Sequence, residues 1–304
     1  MGGSHHFIRP HDTDTFIVVN TRKCSPCRSL LTKAQEYNKE VLKTVSKAWM
    51  GDGFTLLLRK QNIGMDFAAH NVTIEWCRQL DIIKQYKYFI FLNSSVRGPF
   101  YPSYLPPSWQ WTQVFTDRID ENVKLVGSSL VCLPPTDLGG PGPRVESWAF
   151  GVDRIGLKTV LDEGVFHVRK CKLCSDGIVV KGEYGLSTAI FNAGYNIATI
   201  MSMYPVGINW RKRVHWKCNN NTHPSRHGTY DNISMHPFET VFVKASWKVG
   251  EPHLSAYTRW FLAHSNGHAN TQGLYADKMY RYATSQLAQE IDIDADLFKV
   301  DSFS

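Results

Sequence analysis

Apolar and polar positions fall into blocks of two lengths along this chain. Short, nearly unbroken apolar runs at Thr15–Asn20, Phe54–Leu58, Phe89–Leu92 and Val123–Cys132 have the pattern of strands covered on both faces. Longer amphipathic blocks separate them. Residues 29–49 place Leu30, Leu31, Ala34, Tyr37, Val41, Leu42 and Val45 at helical spacing, and residues 66–84 form a second helix that delivers the chain to the strand ending at Asn93. Strand and helix in alternation predict an α/β fold with a parallel sheet, its first half shaped to bind a nucleotide. Further on, Pro106-Pro107 and Trp109 open a helix to about residue 120, and Trp148–Val152 is strand-like. Residues 134–143, rich in proline and glycine, form a loop that is either a lid or acceptor edge beside a crevice or a passive surface connection.

The strand Phe89–Leu92 ends abruptly in Asn93-Ser94-Ser95, and Gly98-Pro99 prevents a helix from starting at once. Ligands in open α/β sheets bind beyond the carboxyl ends of such strands. Small side chains there let a phosphate or sugar approach the backbone. A second candidate is Gln61–Ala69, where Gly64 permits a tight turn and Asp66 stands at the start of a helix, either as a cap or facing a ligand.

Composition narrows the partners. The 304 residues are 43% hydrophobic and 20% charged, which fits a folded chain with a large core. A net charge of +7 favours an anionic partner. The basic residues are scattered, the densest cluster being Arg211-Lys-Arg213, and none of the nucleic-acid signatures is visible, so no nucleic-acid partner is expected. No stretch is long and apolar enough to span a membrane. The chain as given reads as soluble and cytoplasmic, with the Golgi lumen as the alternative if a targeting segment has been removed, and as a monomer or weak dimer.

Seven cysteines are too sparse for a disulfide scaffold. Cys24-Ser-Pro-Cys27 and Cys171-Lys-Leu-Cys174 have zinc-knuckle or redox spacing, but 144 residues separate Cys27 from Cys171; isolated thiols or a secretory disulfide are the expected state. Acceptor sequons begin at Asn71, Asn93, Asn220 and Asn232. His264 and His268 flank Ser-Asn-Gly, a poor helix, and are discounted as a metal pair. A helix over about 272–290 is followed by Asp292-Ile-Asp-Ala-Asp296, which lacks the glycine and glutamate of a calcium loop and reads as an acidic tail.

The segment Phe91-Leu-Asn-Ser-Ser-Val-Arg-Gly-Pro-Phe100 resembles a signature of glycosyltransferases related to rhamnan-synthesis proteins and their algal and plant relatives. Four later stretches resemble the same family in order: Trp111 and Phe115 with Val123–Cys132, Glu146–Asp153 (where the family more often has Gln-Ser), Glu183–Ile197, and His236–Lys244. The resemblance spans about residues 60–260. It implies a GT-A-like fold, a Rossmann-type and mostly parallel mixed sheet flanked by helices. Within one continuous catalytic domain, residues 1–132 would bind the nucleotide-sugar donor and residues 133–262 would carry acceptor and catalytic groups. Residues 263–304 would add the C-terminal helix and tail.

The implied reaction moves a hexosyl, pentosyl or deoxyhexosyl group from a nucleotide-sugar to a hydroxyl of a glycan or polysaccharide acceptor, with inversion. Asn62, Gly64 and Asp66 are assigned to the donor because relatives carry a similar Asn-x-Gly-x-Asp segment there, and Asn93, Ser94, Ser95 and Arg97 join them. Transferases of this fold usually hold manganese or magnesium on Asp-x-Asp, where this chain has Asn93-Ser94-Ser95. Asp66 or Asp153 would then supply the missing carboxylate, or Arg97 and nearby lysines would stabilise the leaving group without a metal. Inversion requires a base for the acceptor hydroxyl. Glu183 is the first candidate, expected at the opening of a helix over Tyr184–Ala193, and Asp153 the second. Glu146 and Trp148 are assigned to the acceptor by carboxylate hydrogen bonding and ring stacking. His236 is a candidate for the diphosphate, against the simpler alternative of a structural histidine. A catalytically inactive glycan-binding or nucleotide-sugar-binding module is the competing class.

Overall fold

The computed structural model describes residues 13–20, 45–51, 53–59, 64–102, 104–106, 108–168, 175, 177–227, 229–230, 233–245 and 252–258. Four knuckle cysteines (Cys24, Cys27, Cys171, Cys174), Asn62, Asn232, His264, His268, the C-terminal helix and the acidic tail lie outside these residues, as does the expected helix over residues 29–44.

The fold is mixed α/β. Strand β1 (Thr15–Asn20) pairs in parallel with β3 (Phe54–Arg59), and β2 (Val45–Gly51) pairs with β3 from the other side, antiparallel. Residues 45–49, expected at the end of a helix, are therefore strand. Helix α1 (Met65–Gln79) follows and buries Phe67, Ala68, Val72 and Ile74 at helical spacing. It leads through a 3-10 turn (Ile83–Gln85) into β4 (Tyr88–Leu92). Then come β5 (Val96–Arg97), a one-turn helix α2 (Gln113–Thr116), β6 (Val123–Gly127), β7 (Leu130–Leu133), β8 (Gly142–Val145) and β9 (Ala149–Asp153). The remainder is α3 (Arg154–Asp162), a π-helical segment (Ile178–Tyr184), α4 (Gly185–Asn192), β10 (Asn196–Thr199), α5 (Pro224–His227), the pair β11 (Thr229–Tyr230) and β12 (Ile233–Ser234), α6 (Pro237–Thr240) and β13 (Val243–Lys244).

A mostly parallel Rossmann-type sheet is not evident among the described residues. Six of the eight strand pairings are antiparallel. The central four-stranded sheet has the order β10-β6-β9-β4, with β9 antiparallel to both its neighbours and β10 parallel to β6. Between β6 and β9 the chain forms the small antiparallel ladder of β7 and β8, then enters β9 through Glu146-Ser147-Trp148 and runs antiparallel to β6. Strand β4, expected at the centre, lies at the end of this sheet, and its side chains are mostly half-buried.

Two further expectations change in detail. The apolar run Val123–Cys132 is two strands, because buried Ser128 and Ser129 break the ladder between β6 and β7. Gly127 makes that turn possible, since a Cβ there would lie 2.3 Å from Val145 Cγ1 and 2.8 Å from the Ser129 carbonyl oxygen. Between Pro106 and residue 120 the chain forms a series of turns around the short α2: Trp109 N donates to the Pro106 carbonyl, and Gln110 N to Gln113 Oε1 at 2.9 Å.

The core lies on both faces of the four-stranded sheet. Phe91, Leu125, Phe150 and Val152 pack with Phe67, Phe166, Leu186 and Ile190 on one face, while Val126, Ala149 and Trp148 pack with Trp111, Phe115 and Phe242 on the other. These aromatic residues make the layers rigid, and the sheet edge between them holds the polar groups described next.

Candidate functional site

Strands β4 and β6 end at the same edge of the central sheet where β9 begins, as the pairings Leu92 with Ala149 and Gly127 with Phe150 establish. Three backbone bonds knit this edge: Asn93 N to the Trp148 carbonyl at 3.1 Å, Ser128 N to Ala149 at 3.0 Å, and Glu146 N to Ser129 at 3.1 Å. Polar residues that follow or precede apolar strands are thereby gathered in one place.

Beside the end of β4, Gly64 adopts φ 72° at the N-terminal boundary of α1, a left-handed conformation that glycine takes without strain. Asp66 follows in the first turn. Its Oδ1 accepts from the Phe67 N–H at 3.1 Å, and its Oδ2 accepts from Asn93 Nδ2 at 3.1 Å. The other end of the Asn93 amide accepts from Ser95 N at 3.0 Å and Ser95 Oγ at 2.5 Å. Asp66, Asn93 and Ser95 are thus one hydrogen-bonded unit, with Ser94 exposed beside it. Arg97 lies on β5, which pairs with β13, and donates to Ser255 Oγ at 3.4 Å in the helical residues 252–258.

Next to this unit a small cleft is lined by Glu146, Glu183, Tyr184, His223, Arg226 and Lys244, among others. Glu183 is a half-buried carboxyl of this cleft. Burial pushes its pKa up, Lys244 and Arg226 pull it down, and Asp66 and Glu146 push it further up. These influences place Glu183 within electrostatic reach of both the Asp66–Asn93 unit and the basic wall. Its position in the helix differs from expectation: the π-helical segment begins at Ile178 and runs directly into α4, so Glu183 is well inside a continuous helical rod and gains nothing from a helix start. The wide π turn instead directs it to the cleft, in keeping with the frequent use of such turns at functional sites.

Glu146 is held more tightly than any acceptor-binding role requires. Oε1 accepts from Ser225 Oγ at 2.5 Å and meets His223 Nδ1 at 3.2 Å, while Oε2 accepts from Ser129 Oγ at 2.5 Å. Burial alone would raise its pKa, yet the bond and charge of His223 and the two serine hydroxyls outweigh it and hold the carboxyl down at about 2. Glu146 therefore acts as an anchor that orients His223. Tyr184, next to Glu183, has its phenol pushed up to about 12 by burial and by Asp137 and Glu183. Residues 134–141 form a loop at this side, shorter than the expected 134–143 because Gly142 and Pro143 belong to β8 and pair with β7. Gly139 packs against the Tyr184 ring, where a Cβ would approach Cδ2 to 2.1 Å, and Arg144 Nη2 binds the Gly139 carbonyl at 2.8 Å.

Three sequence candidates do not join the site as assigned. Asp153 pairs with Tyr88 at the beginning of β4, the edge of the sheet opposite Asn93. There its Oδ1 caps α3 by accepting from Gly156 N at 2.8 Å, and its Oδ2 receives Lys124 Nζ at 2.8 Å. Four residue steps along β4 separate the two edges, roughly 13 Å at 3.3 Å per residue. Asp153 thus neither reaches the cleft as a base nor shares an ion with Asp66. Trp148 lines the cleft, but with 1% of its surface accessible it is a core ring with no open face for stacking a sugar. His236 caps α6 by accepting from Phe238 N at 3.2 Å, and its Nε2 meets the Tyr257 hydroxyl at 2.8 Å; it is a structural histidine.

Among the described residues, no group of three His, Cys, Asp or Glu side chains has the arrangement of a metal site. Of the two carboxylates considered for the implied manganese or magnesium, Asp153 lies at the far sheet edge bound to Lys124, and Asp66 stands beside Asn93.

His223, Ser225 and Arg226 were missed in the sequence. The available clue was chemical: Glu146, between strands too apolar to leave a carboxylate in water, requires a buried partner, and His223-Pro-Ser-Arg-His227 is a compact source of donors. No protein-family model, curated protein or solved structure matches this chain, so the chemistry of the cleft has to be read from its own side chains.

Proposed function

We propose that this protein is a glycosyltransferase that moves a sugar from a nucleotide-sugar donor to a hydroxyl of a glycan acceptor, with inversion at the anomeric carbon. One observation carries the reading: a half-buried carboxyl, Glu183, shares a cleft with Lys244 and Arg226 and lies within electrostatic reach of Asp66, whose partner Asn93 follows β4. A carboxylate in such a cleft has the chemistry of a general base. Glu183 takes the proton of the acceptor hydroxyl as its oxygen attacks the anomeric carbon, and the bond to the nucleoside diphosphate breaks on the opposite side. Lys244 and Arg226 supply positive charge to the departing diphosphate, beside the His223 ring that Glu146 orients. Asp66, Asn93 and Ser95 hold the donor. No step is assigned to a divalent metal.

The disulfide between Cys132 and Cys218 favours the lumenal alternative for its location, since such bonds persist in oxidising compartments. A glycan-binding module without turnover is the second reading, favoured by the uncharged Asn93-Ser94-Ser95 where a carboxylate pair would normally stand.

Donor hydrolysis without acceptor, across a panel of nucleotide-sugars and in the presence of a chelator, separates the two. Release of nucleoside diphosphate supports the transferase. Glycan binding with no release from any donor, with or without added manganese, supports the module.

A further inference from the structure

We propose that Asn220 is an N-glycosylation site, carrying an oligosaccharide on its side-chain amide when the chain folds in an oxidising secretory compartment. Asn219, Asn220 and Asn221 form one turn with φ of 55°, 49° and 57°, a left-handed path that asparagine tolerates better than other residues with a side chain. The turn gives adjacent asparagines opposite fates. Asn219 is fully buried: its amide is bonded to the Tyr204 hydroxyl and the Leu130 carbonyl, and its backbone N donates to Tyr204 Oη at 3.0 Å. Asn220 and Asn221 face solvent.

The turn is fixed at both ends. Cys218, two residues before Asn220, is disulfide-bonded to Cys132, and two residues after it Thr222 donates from Oγ1 to the Asn219 carbonyl at 2.6 Å. Asn220-Asn221-Thr222 is an acceptor sequon, and the fold presents its asparagine on a rigid, outward-facing turn where a bulky glycan displaces no packed atom. The other described sequons are unsuitable. Asn71 is fully buried in α1, and Asn93 is bonded through both ends of its amide to Asp66 and Ser95. The same disulfide that pins the turn is evidence for the compartment in which the modification occurs.

In the reaction, the Asn220 amide nitrogen attacks the anomeric carbon of an oligosaccharide carried on a lipid diphosphate. A C–N bond forms, the C–O bond breaks, the lipid diphosphate leaves with the electron pair, and the amide proton passes to the host oligosaccharyltransferase.

The full chain, directed into the endoplasmic reticulum of a eukaryotic cell by a cleavable signal peptide, provides the test. Peptide mapping of both retained and secreted protein, after enzymatic removal of N-glycans, should show Asn220 converted to Asp. Asn220→Gln should abolish that conversion. Thr222→Ser, which keeps the sequon, should retain the glycan where Thr222→Ala loses it. An unmodified Asn220 peptide from protein in which the Cys132–Cys218 bond has formed would overturn the proposal, as would glycan found at Asn71 or Asn93 and not at Asn220.

Discussion

Asn93 donates its side-chain amide to Asp66 at 3.1 Å, joining the end of β4 to the first turn of α1 across 27 residues of sequence. The bond fixes the orientation of the Asn93 amide and leaves the neighbouring hydroxyls and N–H groups at a set position relative to Glu183. Removing either side chain should weaken nucleotide-sugar binding more than it weakens the fold. Loss of a hydrogen bond to a charged group is worth about 1.5–3 kcal/mol, so Asp66→Ala should raise the donor dissociation constant roughly 10- to 100-fold. Calorimetric titration with a nucleoside diphosphate measures it; an unchanged constant would remove the pair from the donor site.

Glu146 makes acid stability a test of the network beneath the cleft. Its folded-state pKa of about 2 lies below the ordinary value of 4.5, so its contribution is fully present above pH 4.5 and is lost as the pH falls toward 2. That shift corresponds to no more than about 3 kcal/mol. Glu146→Gln should therefore be less stable than wild type at neutral pH, with the difference shrinking below pH 4.5 and closing near 2. Urea titrations across this range report it.

The Lys124–Asp153 pair, at 2.8 Å with side chains 6% and 15% exposed, should prove structural. Breaking a buried pair by deleting one partner costs about 3–5 kcal/mol because the other charge is stranded. Lys124→Met should lower the unfolding free energy by an amount of this order while leaving donor affinity unchanged. A variant of normal stability that fails to bind donor would return Asp153 to the active site.

Part of this organisation was legible in the sequence, and what was missed has a common physical origin. Apolar runs located β1, β3, β4 and β6, and Gly64 with Asp66 marked the start of α1, because strand and helix periods are local properties. Strand direction is not local. Whether β9 runs with or against β6 depends on how the stretch between Gly127 and Ala149 turns back on itself, and no pattern within Ala149–Asp153 reveals it. The site shows the same division. Asp66, Asn93 and Glu183 were identifiable as polar residues at the ends of apolar segments. The partners that decide the fate of a carboxylate, Lys124 for Asp153 and His223 with Ser225 for Glu146, come from 29, 77 and 79 residues away. Trp148 looked like a stacking platform until packing against Trp111 and Phe242 enclosed it.

Reduction of Cys132–Cys218 should destabilise the protein and disturb the cleft together, because the bond fixes the segment that leads to His223, Ser225 and Arg226. The loop it closes spans 86 residues, for which chain entropy alone gives about 4–5 kcal/mol. Cys132→Ser should lower the thermal midpoint and weaken diphosphate binding. A loss of stability with binding intact would show that the segment is held by Asn219 and Glu146 without the disulfide.

Glu183 provides the most direct test. Because its folded-state pKa is raised, ionising it destabilises the fold progressively as pH rises above 4.5, so Glu183→Gln should be at least as stable as wild type at neutral pH and indistinguishable from it in acid. The decisive measurement is the rate of nucleoside diphosphate release from a nucleotide-sugar by this variant beside wild type, with donor affinity measured in parallel. The expected result is a fall of about 10²- to 10⁴-fold in rate, the range for loss of a general base, with donor affinity largely retained. An unchanged rate in a folded, donor-binding Glu183→Gln protein would contradict the assignment of this carboxyl as the catalytic base.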